Sequence, residues 1–203
     1  MNTASLDHAA ERFRYLYEAY LKDAGSRVYL SLIPDKNYFM AAPNGYPSLD
    51  YEQFAEELQS RTGYMQYIDI FDLLELEDYY RTDAHWRQEK ILDVAARLAG
   101  GMGVELTGSY TRKTLEKPFY GVYYGQAALP IAPEEMNYLT GGAIDTAAVY
   151  NYETDTEGGI YDAEKAAGRD PYEMFLSGSV PLLRIENPQN TSGRRLGVFR
   201  GSF

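Results

Sequence analysis

Alternation is the strongest constraint this sequence places on its fold. Between residues 13 and 101, three segments with helical apolar spacing are separated by two short runs rich in β-forming residues. Phe13, Leu16, Tyr17, Tyr20, Leu21 and Ala24 share one face of a predicted helix, with Gly25 placed as its C-terminal cap. Val28 to Ile33 reads as a buried strand stopped by Pro34. Asp35 to Ser48, with Pro43, Gly45 and Pro47, reads as a loop. A second helix follows over Leu49 to Arg61, then a second strand over Tyr64 to Phe71. Ile91, Leu92, Val94, Ala95 and Leu98 mark a third helix ending at Gly100-Gly101. Helix and strand in turn predict an α/β fold, a three-layer α/β/α sandwich with a mostly parallel sheet.

After residue 101 the texture changes. A stretch rich in Tyr and Gly over 105–160 contains short strand candidates at Phe119 to Tyr124 and Ala147 to Tyr152, and reads as an insertion of strands and loops. Asp170 to Gly178 predicts a short helix with Pro171 at its first position, and Val180 to Ile185 and Arg195 to Phe199 predict further strands. With 203 residues the chain is long enough for one sizeable core or two small ones, and a single domain over 1–203 is expected.

Several classes of function are excluded by what the chain lacks. Without cysteine there are no disulfides, thiol nucleophiles or Cys-based zinc sites. His8 and His85 are the only histidines, too few for a multi-histidine metal centre, and no residue cluster suggests a metal site; no cofactor is expected. A net charge of −11 argues against nucleic acid, whose phosphates need an excess of Lys and Arg. No run of 18 apolar residues is present to cross a membrane, and Asp7, Glu11 and Arg12 interrupt any signal-peptide stretch. The 20 tyrosines fit either a sugar-binding cleft, where the ring packs on the sugar face, or the rim of a core.

Chemistry concentrates in Tyr79-Tyr80-Arg81-Thr82-Asp83-Ala84-His85-Trp86. In extended or turning backbone, residues i and i+2 point the same way, so Asp83 and His85 can face one site. A carboxylate beside an imidazole orients the ring and stabilises the imidazolium formed in proton transfer. If the segment also opens the next helix, the positive helix end favours the neutral imidazole a general base requires. The plainer alternative is that Thr82 or Asp83 is a helix N-cap and His85 a first-turn residue. At the other end, Arg195 to Phe203 is an apolar run leading into Gly201-Ser202-Phe203, an arrangement in which a strand delivers a serine to a tight turn. A loose terminal residue is the alternative there.

Together these segments resemble the DHHW family of bacterial proteins, relatives of the alginate O-acetylation proteins within the SGNH/GDSL hydrolase superfamily. The motif stands here as Tyr80-Arg-Thr-Asp-Ala-His-Trp86, with Ala84 where the family name has His. Val28 to Lys36 is similar to the family's early strand and turn, Phe119-Tyr-Gly121 to its F-x-G, and Ile185-Glu-Asn187 to the segment before the serine strand. The resemblance implies an SGNH-like sandwich in which Ser202 is the nucleophile, His85 the general base and Asp83 its orienting partner. Tyr80 and Trp86 would contact substrate. It implies a serine-dependent esterase or O-acetyltransferase acting on cell-surface or extracellular polysaccharide, outside the cytoplasmic membrane, with carbohydrate or an acylated small molecule as partner. Because the chain stops one residue after Ser202, a fragment of a longer protein with weak or no activity is expected. The competing expectation is a non-catalytic glycan-binding or assembly protein with the same fold.

Overall fold

The computed structural model describes residues 3–128 and 130–201. Its chain divides into two compact units, one formed by 1–76 and 93–105, the other by 77–92 and 106–203.

In the first unit, helix α1 (Thr3–Leu16) continues into a π-helical turn over Tyr17–Leu21. The predicted apolar face lies further along the chain than the one the helix buries. Leu6 and Ala10 are buried, whereas Phe13, Leu16 and Tyr20 are exposed. Tyr17 stacks on Tyr64 with ring centroids 4.4 Å apart, and Gly25 takes a left-handed conformation (φ 65°) where the helix stops. Strand β1 (Tyr29–Leu30) pairs in parallel with β2 (Gln66–Tyr67), so both predicted strands form, in shortened versions. The predicted loop between them contains a short helix, α2 (Lys36–Met40), because Asp35 accepts the Asn37 N–H at 2.9 Å and caps its start. Helix α3 (Tyr51–Arg61) begins two residues after the predicted Leu49, because Asp50 caps it by accepting the Gln53 N–H at 2.9 Å. Arg61 ties α3 to α1 through Asp7 at 2.6 Å. Helix α4 (Leu92–Gly101) closes the unit, whose interior includes Leu58, Ile68, Ile70, Leu74 and Val94.

The second unit is built on antiparallel pairs. Strand β3 (Thr111–Thr114) pairs with β4 (Asn137–Thr140), and between them helix α5 (Val122–Ala127) occupies part of what the sequence predicts as a strand. Helix α6 (Ala143–Thr146) leads into a three-stranded sheet of β5 (Ala148–Asn151), β6 (Thr156–Gly158) and, after helix α7 (Ala163–Ala167), β7 (Leu183–Glu186), in the order β6-β5-β7. Pro171–Met174 is a 3₁₀ turn rather than a full helix. The predicted strand over Arg195 to Phe199 is irregular, with Leu196, Val198 and Phe199 exposed. Tyr80, Phe119, Met136, Ala166 and Met174 form the core, with Leu115, Tyr138, Tyr161, Tyr172 and Phe175 packed around it. Many tyrosines here thus fill the core and its rim.

The architecture is mixed α/β, with parallel pairing at β1–β2 and antiparallel pairing in the other described sheets. No described helix is long and apolar enough to cross a membrane.

Phe119 is fully buried at the centre of the second unit's core. Truncating it to Ala removes a large apolar side chain and leaves a cavity, and urea denaturation of Phe119→Ala should show a loss of about 3–5 kcal/mol.

Candidate active site

Residues 79–86 form a closed loop, pinned at its mouth by an antiparallel bridge between Tyr79 and Trp86. The Tyr80 N–H donates to the His85 carbonyl at 3.1 Å, and the Arg87 N–H to the Asp78 carbonyl at 2.7 Å. Helix α4 starts only at Leu92, so neither Asp83 nor His85 lies in its first turn. The helix-end electrostatics expected for His85 are absent from this arrangement. The loop itself does the positioning.

Asp83 and His85 meet within it. Asp83 Oδ1 lies 2.5 Å from His85 Nδ1 and also accepts the His85 backbone N–H at 3.0 Å. Asp83 Oδ2 accepts the Val122 N–H at 2.9 Å. The carboxylate is thus engaged at both oxygens although its side chain is only 2% exposed, while the His85 side chain is 20% exposed. Burial pushes the Asp83 carboxyl upward, but the hydrogen bonds from the His85 ring and from the Val122 and His85 amides outweigh it, leaving the group below the usual carboxylate range. An Nδ1–H donated to Asp83 leaves the lone pair on Nε2, the arrangement a general base needs.

A second restraint comes from Tyr172, whose ring stacks on His85 with centroids 4.2 Å apart and planes 22° from parallel. Burial, then the nearby Asp83 charge, pushes the Tyr172 phenol well above its ordinary value, so it stays neutral beside the imidazole. Asp170 caps the turn carrying it by accepting the Tyr172 N–H at 3.0 Å. The sequence predicts a short helix here from Pro171, but gives no sign that Tyr172 reaches the histidine.

Gly121 supplies the third restraint. Its N–H donates to Thr82 Oγ1 at 3.0 Å, and the next amides hold Asp83 (Val122) and the Thr82 carbonyl (Tyr123, 2.9 Å). A Cβ at Gly121 would fall inside contact distance of the Thr82 carbonyl and the Asp83 Cβ, so only glycine allows this approach. The F-x-G segment therefore docks directly under the dyad.

Tyr80 and Trp86, expected at the substrate, are both buried. Tyr80 is fully buried, with Phe119 at 4.8 Å and Tyr172 at 6.1 Å between ring centroids, and Arg87 lies over its ring. Trp86 is 9% exposed and meets Tyr79 edge-on. Both rings belong to the loop and anchor it through these contacts. Ser202 lies outside the described residues. His8 is exposed on α1. Among the described residues no cluster of His, Asp or Glu is arranged to hold a metal ion.

The fold is similar to that of Bacillus cereus PatB1. Against PatB1 with a sulfonyl adduct, the likeness covers 92% of this chain and 68% of PatB1, with a TM-score of 0.66 and 17% identity. A second PatB1 structure gives 0.61 and 16%, over 92% of this chain and 70% of the other. No family model matches the sequence, and no curated protein matches it. At this identity the likeness is one of fold.

Two outcomes follow from the dyad's geometry. Gly121→Ala should lower stability by about 1–3 kcal/mol through overpacking, and should abolish the far-downfield Nδ1 proton signal expected of a carboxylate-bound His85. Asp83, held below its ordinary value, contributes stability that is present above about pH 4 and lost as pH falls through its folded value. Urea stability measured from pH 7 downward should therefore fall less steeply in Asp83→Asn than in the native protein.

Proposed function

We propose that the site performs acyl transfer through a serine, as an esterase or O-acetyltransferase acting on carbohydrate hydroxyls. The observation that carries this reading is the buried Asp83 carboxylate 2.5 Å from His85 Nδ1 on an imidazole that is itself part-exposed. Two further supports are the D-x-H-W motif with its downstream serine and the PatB1-like fold.

On this reading Ser202 Oγ attacks an ester carbonyl while its proton passes to His85 Nε2, and Asp83 stabilises the resulting imidazolium. The ester C–O bond breaks, and the leaving alcohol takes the proton from His85. Water or a sugar hydroxyl then gives its proton to His85 as it attacks the acyl-serine; the bond from the acyl carbon to Ser202 Oγ breaks, and His85 returns the proton to Oγ. Hydrolysis and transfer differ only in this second nucleophile. The site asks for no metal in either half-reaction. A surface at −11 disfavours acidic polymers, so a neutral glycan is the favoured acceptor. The resemblance to the DHHW family supports a site of action outside the cytoplasmic membrane.

Sulfonyl fluorides test the nucleophile without requiring turnover, because an activated serine displaces fluoride and stays labelled. Phenylmethylsulfonyl fluoride should label Ser202, as read by peptide mass spectrometry. Labelling should vanish in Ser202→Ala and slow by about a hundredfold or more in His85→Ala. No labelling, or labelling indifferent to His85, would overturn the acyl-transfer reading and favour a glycan-binding role.

A further inference from the structure

The motif loop is held from outside by a residue that the proposed reaction does not use. The Glu134 carboxylate accepts the Arg81 N–H on Oε1 at 2.7 Å. Its Oε2 accepts both the Thr82 N–H at 2.6 Å and the Thr82 hydroxyl at 2.7 Å. The same segment is fastened again where the Arg81 guanidinium donates to the Ala132 carbonyl at 3.0 Å. Glu134 is itself fixed through its backbone, exchanging two hydrogen bonds of 2.9 Å with the fully buried Phe119. Thr82 then completes a relay: the Gly121 N–H donates to its oxygen, and its hydroxyl donates on to Glu134.

We infer that Glu134 is a positioning residue for the Asp83–His85 dyad, acting as an anionic clasp on the two residues immediately before Asp83. The inference rests on the acyl-transfer reading for its consequence, but the geometry stands apart from it. Consecutive backbone N–H groups of residues 81 and 82 converge on one carboxylate, which only an acceptor at both oxygens can satisfy. With those amides fixed, the backbone entering Asp83 has one direction. Its carboxylate then reaches His85 Nδ1 and the Val122 amide together. Glutamine has almost the same size and shape, but one of its two terminal atoms is a donor. In Glu134→Gln that amide must face either the Arg81 N–H or the Thr82 N–H, setting donor against donor. If Glu134 only filled space, glutamine would serve equally well.

The experiment compares the 203-residue chain with Glu134→Gln by proton NMR of the His85 ring and by sulfonyl fluoride labelling of Ser202. The His85 Nδ1 proton should broaden or move upfield in the variant, and labelling should slow by about tenfold or more, as expected when a reacting group is displaced slightly. An unchanged Nδ1 resonance in a folded Glu134→Gln protein would overturn the inference. Should Glu134→Gln fail to fold by circular dichroism, Glu134→Asp decides instead. It keeps the charge and both acceptor oxygens but shortens the arm by one methylene, drawing the carboxylate away from the Arg81 and Thr82 N–H groups. An unperturbed Nδ1 signal there overturns the inference, and a shifted one upholds it. If the native chain shows no labelling, the acyl-transfer reading fails while the resonance comparison still tests the clasp.

Discussion

Asp83 carries charge where water barely reaches, and the site depends on how that charge is accommodated. A carboxylate removed from water is costly unless donors replace the lost hydration. Two of its donors lie close by, the ring and the amide of His85. The third is the Val122 amide, brought in from the start of α5. The donors that make burial tolerable also set the carboxylate's orientation. The bond to Nδ1 in turn fixes the plane of the His85 ring.

Packing then fixes what hydrogen bonding has aimed. Tyr172 covers one face of the imidazole, and Tyr80 and Phe119 form the floor beneath the loop. The tyrosine-rich composition is in this region a means of building a rigid platform from large rings that keep a polar edge. Rotation of His85 away from Asp83 would lose both the charge-assisted bond and the stacking contact. The site is therefore better defined than a surface loop of eight residues would be by itself.

Local signals explain which parts of this arrangement the sequence discloses. The helical spacing over Leu49 to Arg61, Gly25 after the first helix and the β-rich run at Val28 act on near neighbours, and each element appears close to its predicted place. The i, i+2 pairing of Asp83 with His85 is equally local. Gly121, Glu134 and Tyr172 are different, because their effect lies in what they touch far along the chain. The Gly121–Thr82 bond spans 39 positions, and Glu134 reaches Thr82 across 52. No periodicity or spacing rule signals such contacts. The first helix fails in another way: its apolar stripe is genuine in sequence, but Leu6 and Ala10 take the buried positions and leave Phe13 and Tyr20 outside. Arg195 to Phe199 shows that β-forming composition needs a pairing edge before it becomes a strand.

The wide spacing of the dyad's supports bears on when the site comes into being. Closing a chain segment of some forty or fifty residues costs conformational entropy before any contact is gained. The loop at 79–86 can turn early, through its own short-range bonds. The Val122 amide and the Glu134 carboxylate arrive only after the chain between them has been synthesised and collapsed onto Phe119. A nascent or partly unfolded molecule thus carries all the motif residues with its imidazole still unaligned. Alignment of the imidazole is thereby coupled to completion of the core rather than to emergence of the motif.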